Sequence, residues 1–163
     1  MFCRHALVPQ VITAAPDQTI ADALALLEQH GIRALPIVDA ANTLLGYFSF
    51  DDVLSQLLPG PVTVEHHGLM DANLRLDYLV DTEQLVAKRL GELLPVKLRE
   101  VMEQDLNVVH PETPLWEGIR QLFQHGSPIP VVDQATGRLL GLLSVQSALC
   151  ELAKLGGGCG ERA

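Results

Sequence analysis

The chain has 163 residues, enough for one compact domain or two small halves packed on each other. Hydrophobic residues make up 48% and aromatics only 4%, so a sizeable core built mostly of Leu, Val, Ile and Ala is expected. The formal net charge of -9 repels phosphate backbones, which argues against nucleic-acid binding but leaves room for a local basic pocket holding one small phosphate.

The first ten residues, MFCRHALVPQ, lack the apolar segment of a secretory signal, and no apolar run reaches the length of a membrane span. Cys3, Cys150 and Cys159 are far apart and odd in number, so they fit neither a disulfide framework nor a zinc pattern. Free thiols in a reducing cytoplasm are expected.

Val11–Ala14 reads as a short strand, followed by a turn at Pro16. Ile20, Ala23, Leu24 and Leu27 then recur at helical spacing. Thr19 with Asp22 three residues on is an N-terminal capping pattern, and Gly31 stands where a helix end often needs a left-handed residue. Leu35–Val38 and Leu44–Phe48 read as strands joined by the turn DAANT, and a second helix begins at Ser49.

A long connection runs from Pro59 to about Arg99. It opens with PGP and carries a helix over Thr82–Leu94, with Leu85, Val86, Leu90, Leu93 and Leu94 on one side and Pro95 at its end. A connection of this length usually has structure or function of its own, and this helix is expected to cover a sheet or build a dimer contact. Adjacent His66 and His67 would point to opposite faces of a strand, and nothing nearby completes a metal site, so they read as a surface loop. Met70 and Tyr78 are expected to face the core or a partner.

The order of signals then repeats. Leu106–Val109 is a second short strand. Thr113 is the expected cap, with Pro114 at the first helical position, and Leu115, Gly118, Ile119 and Leu122 follow at helical spacing. Trp116 reads as packing. Gly126 ends the helix, Ile129–Val132 and Leu139–Leu143 flank the turn DQATGR, and a last helix begins at Ser144. The tail GGGCGERA reads as flexible.

The correspondence is residue by residue. Pro16 to Pro111, Leu24 to Ile119 and Gly31 to Gly126 are all steps of 95. Pro36 to Pro130 and Asp39 to Asp133 are steps of 94, and Gly46 to Gly141 restores 95. One unit is therefore duplicated. The expected fold class is α+β: two β-α-β-β-α repeats packed as a pseudo-twofold pair, joined by a long, partly helical linker. The expected divisions are residues 1–58 and 96–155 for the repeats, 59–95 for the linker with its helix at 82–94, and 156–163 for the tail. Neither copy alone buries both faces of its small sheet, so the two must pack together.

The segments Gly31-Ile32-Arg33-Ala34-Leu35-Pro36-Ile37-Val38-Asp39 and Gly46-Tyr47-Phe48-Ser49-Phe50-Asp51-Asp52 carry a resemblance to a known family. So do Gly126-Ser127-Pro128-Ile129-Pro130-Val131-Val132-Asp133 and Gly141-Leu142-Leu143-Ser144. Both copies resemble CBS domains, and the pair resembles a Bateman module, over about Ala6–Leu57 and Val96–Lys154. Leu98-Arg99-Glu100-Val101-Met102 is similar to the usual lead-in to a copy. The resemblance implies a disc-like pair with two clefts that hold AMP, ADP, ATP or S-adenosylmethionine. It also implies homodimerisation and a regulated partner protein, which the sequence does not identify.

Ser49-x-x-Asp52 opens a helix after a strand. One carboxylate can accept both ribose hydroxyls, so Asp52 is the ribose candidate, while Ser49 and the helix start suit a phosphate. Thr13, Ile32, Ala34 and Pro36 are candidate adenine walls. Arg33 is the first candidate for phosphate charge, with Arg4, His5 and His110 behind it; without a cation in the cleft, neutral adenosine becomes the better ligand. The same Ser49–Asp52 pattern is also a plain capping box. In the second copy Ser147 stands where the family usually has Asp or Asn. A weaker second site, around Val109, Pro130 and Ser144, is therefore expected to be poor or empty.

No nucleophile elbow, P-loop or Rossmann glycine fingerprint occurs, so an enzyme is not expected. A ligand-free dimerisation scaffold is the competing reading.

Overall fold

The computed structural model describes residues 1–57 and 83–155. A 3-10 turn at Cys3–His5 is followed by α1 (Ile20–His30), β1 (Ala34–Val38), β2 (Leu44–Ser49) and α2 (Phe50–Leu57). Next come α3 (Glu83–Leu93), α4 (Leu98–Val101), α5 (Leu115–His125), β3 (Ile129–Val132), β4 (Leu139–Leu143) and α6 (Val145–Leu155). The fold is α+β, with two antiparallel strand pairs, β1–β2 and β3–β4. Both pairs carry a register shift at the same place, between Ile37 and Val38 and between Val131 and Val132.

The first strand expected in each repeat shrinks to one residue. Ala14 makes a single parallel bridge to Ile37, and Val109 makes one to Val131. Ala14 N donates to Pro36 O at 3.0 Å and Val38 N donates to Ala14 O at 3.0 Å. Pro16 and Pro111, two residues on, turn the chain before more of it can join the sheet.

The helix ends show where the copies diverge. At α1, Thr19 N donates to Asp22 Oδ2 (2.9 Å) and Asp22 N to Thr19 Oγ1 (3.2 Å), the reciprocal box read from the sequence. Gly31 closes α1 at φ 60, ψ 33, the left-handed geometry expected there. At α5 the expectation fails twice. Pro114 is the cap residue and, with neither hydroxyl nor N–H, cannot form the box that Thr19 forms; Thr113 Oγ1 accepts from His110 N at 3.1 Å, and Glu117, at the place of Asp22, accepts from Arg120 Nε at 2.8 Å. Gly126 takes φ 89, ψ 174, a region open to glycine alone but not the left-handed helical well.

Each repeat completes its core with the other repeat's lead-in. Leu98 of α4 is fully buried among Ala14, Ile20, Leu27, Leu35, Ile37 and Phe48 of the first repeat. Cys3, one repeat step of 95 earlier, is buried among Leu115, Leu122, Ile129, Val131 and Leu143 of the second. The exchange is reciprocal in detail. Phe2 bridges Pro114 as Lys97 bridges Thr19, and Val8 bridges Leu142 as Glu103 bridges Tyr47. Arg4 pairs with Glu112, and Arg99 with Asp17. Near the pseudo-twofold axis Thr43 bridges Arg138, and Leu139 N donates to Asn42 O at 2.9 Å.

Glycines make the close approach possible. A Cβ on Gly141 would lie 2.4 Å from Val8 O, and one on Gly46 would lie 2.6 Å from Met102 Sδ. The linker helix α3 divides along its length. Leu90 and Leu93, with Leu94 just beyond, pack on the first core, whereas Leu85 and Val86 are exposed although the helical pattern put all five on one face. His66, His67, Met70, Tyr78, the PGP opening of the linker, Cys159 and the expected flexible tail lie outside the described residues.

Candidate functional site

At the β2–α2 junction the Asp52 carboxylate reaches back to Ser49, the carboxylate half of a capping box. Ser49 N donates to Asp52 Oδ2 at 2.6 Å, and Ser49 Oγ donates to the same oxygen at 2.9 Å. In this arrangement the Ser49 hydroxyl faces Asp52, so giving it to a phosphate requires the hydroxyl to rotate. Register places Ala34 directly across from Ser49, which brings the start of β1 and the start of α2 together. Ala34 is half-buried at this junction; Thr13 is half-buried too, but it precedes Ala14, which bridges Ile37 farther along β1. Ile32 is half-buried as well, but it packs partly against the first core.

Pro36 departs from the expected wall. It lies mid-strand in β1, its carbonyl receives Ala14 N, and its side chain is fully buried, so it presents no surface to a ligand. Arg33 is exposed and, among the described residues, makes no ion pair or hydrogen bond. The weaker cation candidates are engaged elsewhere. Arg4 pairs with Glu112, His5 Nδ1 accepts from Phe2 N at 3.0 Å, and His110 Nδ1 lies 3.0 Å from Val132 O.

The β4–α6 junction is closed on itself. Ser144 N donates to Ser147 Oγ and Ser147 N to Ser144 Oγ, both at 3.0 Å, and Ser147 Oγ donates to Ser144 O at 3.1 Å. Val145 N, the first helical donor of α6, gives its hydrogen to Ser127 Oγ at 3.2 Å. By the two repeat steps, the residues matching Ser127 in the first copy are Ile32 and Arg33, and neither carries an acceptor. Val109 and Pro130, expected at the weaker second site, are buried in the second repeat, where Val109 N donates to Pro130 O at 3.0 Å. They support the sheet and line no opening.

Sequence reasoning missed two residues here. Ser127 was read only as part of a motif, because its reach to α6 depends on the shortened loop before β3. Tyr47, on β2 of the first repeat, extends its hydroxyl to within 3.4 Å of Pro128 O in the second. Burial pushes its phenol well above the ordinary tyrosine range. Other expectations also shift. Trp116, read as packing, is 70% exposed on α5. Cys3 is buried, and that burial raises its thiol, which keeps it neutral and unreactive. Among the described residues, no group of three or more His, Cys, Asp or Glu could hold a metal ion, and no helix is long and apolar enough to cross a membrane. A shallow hollow of about 270 Å³ opens between α2 and α3, lined by Gln56, Arg89, Glu92, Leu93 and Val96, none of which belongs to the expected site.

The family model of the CBS domain matches residues 4–59 and 98–154, and the chain belongs to that family. Among curated proteins, it is 42% identical over 52 residues to a homoserine O-acetyltransferase of Methanosphaerula palustris, covering 32% of this chain and 11% of that protein. It is 31% identical over 84 residues to an inosine-5'-monophosphate dehydrogenase of Halobacterium salinarum, covering 52% of this chain and 17% of that one. The chain thus spans only a small part of these relatives. Among solved structures, the CBS-pair protein CBSX2 from Arabidopsis thaliana superposes with a TM-score of 0.73 at 20% identity, covering 97% of this chain and 98% of the other. CBSX2 in complex with AMP gives 0.68 at 22%, covering 95% and 98%. The CBS domain pair of protein MJ0100, solved with 5'-methylthioadenosine and S-adenosyl-L-methionine, gives 0.59 at 21%, covering 97% of each chain. At these identities the likeness establishes the fold.

Proposed function

We propose that the chain is a regulatory CBS-pair module that binds an adenine nucleotide, AMP, ADP or ATP, beside the β2–α2 junction of its first repeat. One observation carries the reading. Asp52, Ser49 and Ala34 meet at a helix start, beside an arginine that no other described side chain holds. In this reading Asp52 accepts the ribose hydroxyls, Ser49 and the first turn of α2 meet the phosphate, Arg33 adds charge, and Thr13, Ile32 and Ala34 flank the base. Two structural neighbours were solved with adenosyl compounds, which supports the ligand class and leaves S-adenosylmethionine as the alternative ligand. A thermal-shift and calorimetric panel of AMP, ADP, ATP, S-adenosylmethionine and adenosine tests it. A rise in melting temperature that Asp52→Ala abolishes is expected; no shift with any of them at millimolar concentration rejects the reading.

The module is further proposed to pair with a second copy of itself, as a non-enzymatic sensor attached to or acting on a regulated protein. Phe50 and Leu54 on α2 are exposed, and so are their counterparts Val145 and Leu149 on α6, one repeat step away. A patch that repeats across a pseudo-twofold axis suits an isologous contact with its own copy. Sedimentation of Leu54→Lys and Leu149→Lys tests this: a dimer that dissociates supports it, and an unchanged mass rejects it. The ligand-free scaffold predicts the same dimer with no response to nucleotides.

A further inference from the structure

We propose that Tyr47 is a plug, donated by the first repeat, that keeps the second cleft shut to the nucleoside ligands the first cleft receives. Its hydroxyl reaches across the pair to the Pro128 carbonyl. Pro128 adjoins Ser127, whose Oγ covers Val145 N at the start of α6, so the phenol arrives beside the Ser144–Ser147 helix start. Here the backbone carbonyl before β3 and the first helical N–H of α6 are both satisfied from within the chain. These are the groups on which a base edge and a phosphate would otherwise depend. The phenol is desolvated, so withdrawing it from Pro128 O without a replacement partner leaves a buried hydroxyl unsatisfied.

The first cleft lacks the device. By the repeat step of 95, the residue matching Tyr47 is Leu142, half-buried on β4. A leucine has no donor to give the segment before β1, and nothing at Ile32 or Arg33 can accept from α2. Ser147 therefore explains only part of the second cleft's weakness. A carboxylate restored there would still face an occupied carbonyl.

The inference rests on the adenosyl reading for its choice of probe, and the test separates the two. Calorimetric titration with AMP is run on the full chain, on Asp52→Ala, and on Asp52→Ala carrying Ser147→Asp with or without Tyr47→Leu. Leucine is what the matching position already accommodates. The wild-type chain is expected to take one AMP, and Asp52→Ala to lose it. In the Asp52→Ala background, Ser147→Asp with Tyr47→Leu is expected to bind AMP at least tenfold more tightly than Ser147→Asp alone. Equal binding by those two, absence of binding by both, or two AMP per wild-type chain overturns the plug. A wild-type chain that ignores AMP removes the functional reading, and the plug is then decided without nucleotide: amide exchange in the first turn of α6 is expected to be faster in Tyr47→Leu than in the wild type, and unchanged exchange overturns it. Tyr47→Phe in the same Ser147→Asp background guards against misfolding. It keeps the ring and frees the carbonyl, so a gain in affinity is expected there too.

Discussion

The two repeats are nearly interchangeable as packing units and unlike as binding units. Their cores are built from matched positions: Cys3 answers Leu98, Leu115 answers Ile20, Leu143 answers Phe48 and Val131 answers Ile37. The junctions ahead of α2 and α6 share a serine, Ser49 and Ser144, and differ in the groups around it. A carboxylate caps the first and a hydroxyl the second; a serine covers the first donor of α6, and no side chain at the matching place can cover that of α2. Duplication thus holds tightest where the halves must complete each other, and relaxes where only one of them has to work.

The strongest test breaks the exchange itself. Leu98→Ala empties the centre of the first core from a residue that belongs to the second repeat, and should cost about 2–5 kcal/mol. Cys3→Ala removes a smaller group from the matching place and should cost less. Because the lead-ins cross, both variants should still unfold in one transition. Two separated transitions in urea would mean that the halves are independent and the exchange contributes little coupling.

The ligand comparison comes next. At a hundredfold excess over its dissociation constant, AMP should stabilise the wild type by about 2.7 kcal/mol. Asp52→Ala should lose that increment and about 1 kcal/mol of helix capping with it. Ser147→Ala should lose capping alone and keep the full response to AMP, read as the shift in melting temperature. A response lost equally in both variants would remove the distinction between the clefts.

The glycines sharpen the packing side. Gly141→Ala would press a methyl against Val8 O, a backbone atom that cannot move aside. Gly46→Ala would meet chiefly the flexible end of Met102. Overpacking of this kind costs about 1–3 kcal/mol, and Gly141→Ala should lie at the upper end and Gly46→Ala at the lower. Denaturation midpoints that reverse this order would show that Met102 is the more tightly held of the two.

Most of the fold was legible in the sequence because a duplicated pattern is read twice. Helical spacing, the Thr19–Asp22 box, the turns at Asp39 and Asp133 and the strand pairs all follow from neighbours within a few residues. Legibility failed where contacts are long-range. Nothing in Cys3-Arg4-His5 or Leu98-Arg99-Glu100 announces that Cys3 and Leu98 will each be buried in the other half. Pro36 as a ligand wall, and Val109 and Pro130 as second-site residues, follow from being in the right segment, but which way a residue faces there is set by the core it packs on. Tyr47 escaped notice for the same reason, since its partner lies 81 residues away. For Asp52 the sequence showed a pattern with two meanings, and in the structure its carboxylate accepts from the Ser49 N–H and hydroxyl, the hold that a cap and a ribose site would both use.

The smallest contrast lies in the first turns of α1 and α5, where Asp22 and Glu117 occupy the same repeat position. Both carboxyls are held below their ordinary range, for different reasons. Asp22 is lowered by hydrogen bonds from the Thr19 backbone and hydroxyl, whereas Glu117 is held down to about 2, chiefly by its hydrogen bond with Arg120. A depressed carboxyl stabilises the fold above its unfolded pKa, and the contribution fades as the pH falls through its folded value. For Glu117 that window runs from about 4.5 down to about 2. Asp22 is exposed and Glu117 only half-buried, so the effect on stability is slight and carboxyl NMR titration is the better readout. In 1 M salt, where screening acts within about 3 Å, the titration of Glu117 should move back toward an ordinary glutamate. Asp22, held by neutral donors, should stay where it is. If both move together, the capping box owes its hold to general charge and not to Thr19, and the two helix starts are more alike than their hydrogen bonds indicate.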